Sequence, residues 1–252
     1  MFMRFLQLKL KQDHINDFKN FYENEVTQEL HNTPGCLFAG LIKSKPEEDE
    51  FISLTFWQTQ LQAENYETSG AFNKLFEQAK TFLSESSEWK VQLSEDMELK
   101  YGPVEEEPVI KKYSVTAQNG ERDDFQLQSS NMYLRILSLI IQEDKMEEFK
   151  KLYSEIIIPT LKSTKGCRYV YLTESVNEKN EFISVTIWDS KEDAKEYETN
   201  GKFKELNEKV KHTFSQFYLW KMSLEKEYGS NLTTSEDFKV EGYSVVTGKS
   251  FL

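Results

Sequence analysis

The sequence predicts an α+β fold of two tandem ferredoxin-like (βαββαβ) repeats, packed sheet to sheet as an intramolecular α/β barrel in place of a dimer. Three observations carry this. Phe51 to Trp57 reads FISLTFW, and Phe182 to Trp188 reads FISVTIW. Residues 1–93 align with 132–224 without a gap at roughly a third of positions, the mark of an internal repeat. Within each copy, apolar spacing switches between the two-residue period of strands and the 3.6-residue period of helices.

Phe2 to Lys11 alternates as a strand, and Tyr133 to Gln142 repeats it. Ile15, Phe18, Tyr22, Val26 and Leu30 fall at helical spacing, as do Met146, Phe149, Tyr153, Ile157 and Leu161. Pro159 interrupts the second pattern and is expected to kink or end that helix. A turn at Gly35 or Gly166 leads into a strand from Cys36 or Cys167, and the quoted strand follows. Leu61 to Thr68 and Ala71 to Phe82 read as helices broken at Ser69-Gly70. Trp89 to Tyr101 and Trp220 to Tyr228 read as a fourth strand, with Ile110 to Thr116 and Lys239 to Thr247 as an extra one. The organisation is therefore a first repeat over 1–118, a polar linker over 119–130 and a second repeat over 131–252.

The first strand shows why two copies are needed. Leu6, Leu8 and Leu10 make one face apolar, Met3 and Phe5 partly fill the other, and both faces are apolar in the second copy. Two helices cover one face of a sheet, and a twin sheet is the simplest cover for the other.

With 252 residues, 38% of them hydrophobic, the chain has ample core. A net charge of −12 argues against nucleic acid and against an anionic membrane surface as partners. No apolar run reaches membrane-helix length, no signal peptide is evident, and two cysteines make no disulfide framework. A cytoplasmic protein is expected, either a monomer with an internal pseudo-dimer or a homodimer.

Three stretches in each copy resemble the antibiotic biosynthesis monooxygenase superfamily, the dimeric α/β-barrel proteins. They are NTPGC at 32–36 and STKGC at 163–167, the two tryptophan-ending strands, and AENYETSGAFNKLF at 63–76 with AKEYETNGKFKELN at 194–207. The resemblance implies a ligand cavity between sheet and helices in each copy. It also implies that oxygenation would proceed without a cofactor on an electron-rich phenolic substrate, or on bound heme. The positions where the heme-degrading branch carries its histidine ligand hold Phe76 and Asn207, and Leu6 and Leu137 stand where it carries an asparagine.

Arg4 and Arg135 occupy equivalent places in the first strand, on the Leu6 side. A buried guanidinium requires a partner, either a substrate carboxylate or enolate or a structural Glu or Asp. Tyr22 and Tyr66, with their counterparts Tyr153 and Tyr197, direct two phenols per copy toward one cavity and are substrate-binding candidates. Trp57 and Trp188 are candidates for the same wall, with packing as the stronger reading. Ser53, Thr55, Ser184 and Thr186 either line a wet cavity or bond across the seam between sheets, the seam being preferred. The rings of Phe72, Phe76 and Phe82 suggest that the first cavity is the more filled. No histidine recurs between copies or stands at ligand spacing, so no metal site and no cofactor are expected.

The preferred function is binding of a small apolar or aromatic molecule, with cofactor-independent oxygenation. A non-catalytic binding or structural barrel and a heme-binding protein stand as alternatives. Neither catalytic residues nor the substrate can be named from the sequence.

Overall fold

The structure is a computed structural model that describes residues 1–44, 48–84, 89–93, 99–103, 110–118, 132–215 and 238–250. The first copy contributes β1 (Phe2–Lys9), β2 (Cys36–Ser44) and β3 (Glu50–Trp57). After these come the short pair β4 (Trp89–Leu93) and β5 (Leu99–Pro103), and then β6 (Ile110–Gln118). The second copy contributes β7 (Tyr133–Ile140), β8 (Cys167–Ser175), β9 (Glu181–Trp188) and β10 (Phe238–Ser250).

Eight of these strands close into an antiparallel barrel in the order β1-β3-β2-β10-β7-β9-β8-β6. Each copy supplies one ferredoxin-like sheet, β6-β1-β3-β2 or β10-β7-β9-β8. The seams are symmetrical: β6 pairs with β1 of its own copy and β8 of the other, and β10 pairs with β7 and β2. Tyr113 opposes Met3 and Ser175, and Tyr243 opposes Leu134 and Ser44, so both seams keep one register.

The fourth strand of the first sheet is therefore β6. The Trp89 to Tyr101 stretch read as that strand forms the separate β4–β5 ladder instead. Alternation identifies a strand but not its partner, and the place beside β1 is taken by a strand long enough to pair on both edges. The corresponding Trp220 to Tyr228 stretch and the linker lie outside the described residues.

Alternation decides which residues meet. Met3, Phe5, Ile52, Leu54 and Phe56 point into the barrel, together with Leu134, Ile136, Val185 and Ile187 of the other copy. Phe56 meets Tyr171 edge-on across the interface, with ring centroids 5.6 Å apart. The barrel interior is thus filled by side chains, and the opposite faces of both sheets carry the helices.

Helix α1 (Ile15–Phe21) runs through a π-helical turn (Tyr22–Val26) into α2 (Thr27–Asn32). The second copy repeats this as α5 (Met146–Leu152), a π-helical turn (Tyr153–Ile157) and α6 (Ile158–Lys162). Pro159 does not end the helix. It sits in the first turn of α6, directly after the widened turn, where its missing N–H is tolerated. Gly35 (φ +86°) and Gly166 (φ +77°) turn the chain from helix to strand, and a Cβ at either would run into Gln62 or Asp193.

Helices α3 (Gln60–Glu67) and α4 (Gly70–Ala79) are started by Thr59 and Ser69, whose hydroxyls accept from the backbone N–H groups of Gln62 and Phe72. Their counterparts are α7 (Lys191–Thr199) and α8 (Lys202–Val210). Among the described residues no helix is long and apolar enough to cross a membrane.

Leu54 is fully buried in the shared interior, so Leu54→Ala should cost about 2–5 kcal/mol. Because both seams tie the copies into one barrel, chemical denaturation should show one transition, shifted equally for probes in either copy. Two separated transitions would contradict a single cooperative barrel.

Candidate functional site

In each copy a cavity lies between the helix-facing side of the sheet and the covering helices. Arg4, Leu6 and Leu8 come from β1, and Ser53 and Thr55 from β3. Phe18, Tyr22, Val26 and Leu30 come from the first helical run, Tyr66 from α3, and Phe72, Leu75 and Phe76 from α4. The second cavity repeats this wall 131 residues on, from Arg135 through Tyr153, Ser184, Thr186 and Tyr197 to Phe203. Arginine, two tyrosines and a Ser–Thr pair thus converge in each copy.

Trp57 and Trp188 do not line the cavities. Each is fully buried and stacks behind a lining tyrosine, with centroids 5.4 Å apart for Trp57–Tyr66 and 5.2 Å for Trp188–Tyr197. The indole N–H donates to Thr55 Oγ1 at 2.8 Å, or to Thr186 Oγ1 at 2.9 Å. These residues hold the wall in place.

The hydroxyls do not bond across the seam. The Ser53 hydroxyl pairs with the Tyr22 hydroxyl at 2.9 Å, and Ser184 with Tyr153 at 2.6 Å, each within its own copy. The Phe-Ser-Thr-Trp face is the cavity face, and Ile-Leu-Phe is the barrel face.

Burial sets the charges. Desolvation raises the pKa of Tyr22, Tyr66 and Tyr153 well above the ordinary phenol value and pushes Tyr197 up to about 12. The phenols therefore stay protonated near neutrality and act as donors rather than bases. Burial also raises the thiols of Cys36 and Cys167 to about 12, which removes the thiolate a nucleophile requires.

Arg4 is 2% exposed, and burial lowers its pKa, opposed first by the nearby Glu67 carboxylate. Its guanidinium lies over the Phe72 ring at 4.7 Å, and Arg135 lies over Phe203 at 4.3 Å. Arg135 Nε donates to Glu198 Oε1 at 2.6 Å. In the first copy Glu67 Oε2 stands 3.9 Å from Arg4 Nε, beyond hydrogen-bond range. The sequence reading singles out neither these glutamates nor Phe203 as part of the wall, and it names Phe72 only as a ring that fills the first cavity. The signal was present: Glu67 and Glu198 directly follow the repeated tyrosines.

The cavities differ in the opposite sense to that expected. The first encloses about 500 Å³ of empty space, its open side included, and the second about 420 Å³. Phe72 and Phe76 stack as part of the first wall, with planes 11° apart, while Phe82 packs against Phe18 and Phe21. The second copy instead grows inward, because Ile157, Val210 and Phe214 replace Val26, Ala79 and Leu83. Its helix-side core is one continuous cluster, whereas that of the first copy is split in two around the cavity.

Among the described residues these walls carry no histidine. Phe76 and Asn207 line the cavities where the resemblance requires histidine. His14 is half-buried and His31 and His212 are exposed, and none lines either cavity.

The family model for antibiotic biosynthesis monooxygenases matches residues 1–78 and again 132–209, more than half of the chain. The chain belongs to this family. Among solved structures, a candidate monooxygenase from Fusobacterium nucleatum subsp. nucleatum superposes with a TM-score of 0.69 at 11% identity, over 99% of this chain and 94% of that one. A second candidate monooxygenase, from Lactobacillus acidophilus, gives 0.67 at 8% identity over 99% and 96%. An anthrone oxidase-like protein gives 0.61 at 10% identity over 99% and 93%. At these identities the likeness is one of fold. No curated protein matches the sequence at a significant level.

The buried phenols make alkaline stability a test of the site. A phenol that ionises at about 12 when folded and at 10.0 when unfolded contributes its full stability below pH 10 and loses it as pH rises through 12. Denaturant stability should therefore fall between pH 10 and 12. Tyr197→Phe should reduce that fall by on the order of 2 kcal/mol. An unchanged slope in the variant would mean that Tyr197 titrates as an exposed phenol.

Proposed function

We propose that this family member binds a small, largely apolar aromatic molecule between sheet and helices and oxygenates it with dioxygen, without a metal or organic cofactor. The observation that carries this reading is the convergence of a buried guanidinium and two protonated phenols on an otherwise apolar wall, built alike in both copies. Such a wall orients an aromatic ring by stacking and holds one oxygen of it by hydrogen bonds. Arg4 and Tyr66, with Arg135 and Tyr197, are the proposed oxygen-binding groups. Tyr22 and Tyr153 fix the cavity floor, and Trp57 and Trp188 back the tyrosines. The functional unit is the fused pseudo-dimer of residues 1–118 and 131–252, joined through 119–130.

The same wall limits the chemistry. Among the described residues neither cavity is lined by a carboxylate, an imidazole or a thiolate, so none of these lining side chains abstracts a proton. The substrate must ionise by itself, and the cavity stabilises the resulting oxyanion. An electron-rich enolate or phenolate can pass electrons directly to dioxygen. For anthrone, one O2 is consumed, two hydrogens leave the central carbon, and anthraquinone and water are formed.

An oxygen electrode tests this with anthrone as the probe. O2 uptake above the spontaneous rate should rise with pH along the ionisation of anthrone itself, and Tyr66→Phe should lower it about tenfold. Enzyme-independent uptake at every pH would leave a non-catalytic binding barrel. Hemin added to the protein should keep the Soret band of free hemin, because no lining imidazole is available to ligate the iron. A shifted band lost in a His14, His31 or His212 variant would restore the heme reading.

A further inference from the structure

The two cavities share a wall but not a hydrogen-bonding state. In the second, Glu198 forms a charge-assisted hydrogen bond to Arg135 Nε at 2.6 Å, so the arginine is already neutralised by the protein, although its Nη2 remains without a hydrogen bond. In the first, Arg4 is buried to the same degree, and among the described residues both Nε and Nη2 lack a hydrogen-bond partner. The equivalent carboxylate, Glu67, approaches only to 3.9 Å. The Phe72 face under Arg4 supplies attraction but no acceptor. The Tyr66 hydroxyl beside it makes no hydrogen bond among the described residues.

A buried guanidinium without acceptors is costly, and an anion that supplies them recovers that cost. The first cavity is also the roomier, and its half-buried wall residues Phe21, Val26, Phe72 and Phe76 place its opening between the π-helical turn and α4. Val26 is half-buried where its counterpart Ile157 is buried, so the second cavity is also the more closed.

We infer that the duplicated barrel has one receptive site, not two. The first cavity selects an aromatic monoanion, a carboxylate or ionised phenol, whose oxygens accept from Arg4 and Tyr66. The second is held closed by its own Glu198 acting as the internal anion. The inference rests on the aromatic-binding reading above and narrows it to a charge type and to one copy.

The probes are 4-fluorobenzoate and its neutral analogue 4-fluorobenzamide, titrated under nitrogen and followed by fluorine NMR, so that turnover plays no part. The full-length chain should bind one 4-fluorobenzoate, and the benzamide about tenfold or more weakly. Arg4→Gln should weaken benzoate binding by about tenfold or more. Glu198→Ala should raise the stoichiometry to two, and because Glu198 is partly exposed this variant keeps the test open even if Arg4→Gln fails to fold. Equal affinity for the two probes would overturn the anion selectivity while leaving aromatic binding intact. Two 4-fluorobenzoates bound by the unaltered chain, or no second site in Glu198→Ala, would overturn the asymmetry. Binding of neither probe would overturn both this inference and the reading it rests on.

Discussion

The fold depends on one constraint: each sheet is apolar on both faces, and helices can cover only one. Met3, Phe5, Leu54 and Phe56 of the first copy have no helix to meet, and neither do Leu134, Ile136, Val185 and Ile187 of the second. Each set buries the other. The barrel is closed by β6 and β10, each of which belongs to one copy's sheet and borders the other's. Closure leaves the barrel no open edge, and edges are where an isolated ferredoxin-like sheet would pair with other chains. What two subunits would otherwise do by association, the fusion does within one chain.

Side chains of the described residues fill the barrel interior, and the two cavities lie on the helix side of each sheet. There the wall is made by alternation on two strands and by the inward stripe of the helices, so polar groups are admitted one at a time and each needs a local partner. Tyr22 finds Ser53, Trp57 finds Thr55, and Arg135 finds Glu198. Arg4 is the member of this set whose nearest carboxylate falls short. The π-helical turns place Tyr22 and Tyr153 at the widened point of each first helix, where both phenols point at the sheet. Together these features give the family's fold a chemically specific pair of cavities that differ through small changes in side-chain volume and in one ion pair.

Much of this was legible in the residues, and the misses share a cause. The repeated Phe-Ser-Thr-Trp face announced a specific environment, and the arginine, tyrosine and tryptophan pairs all lie at or directly behind the cavity wall. Alternation separates two faces without labelling which is the cavity, so the residues alone do not show that the hydroxyls bond to Tyr22 and Tyr153. Partner choice is non-local, so the alternation of Trp89 to Tyr101 does not reveal that it pairs outside the barrel. Aromatic content alone makes the first cavity look the fuller. Phe72 and Phe76 instead stack flat along the wall, while Ile157, Val210 and Phe214 intrude in the other copy.

By itself the sequence determined the repeat, the order of helices and strands within each copy, the two-faced sheet that demands a twin, and the residue types at the site. Those follow from local periodicity and from self-comparison along one chain. Only the tertiary structure decided which face meets the twin, which strand closes each seam, and which arginine is satisfied by its own glutamate. Glu67 and Glu198 stand at equivalent positions after equivalent tyrosines. What separates them is the distance to the guanidinium, 3.9 Å in one copy and 2.6 Å in the other. That difference is set by how α3 and α7 pack on their sheets, a sum of many small contacts that no single residue encodes.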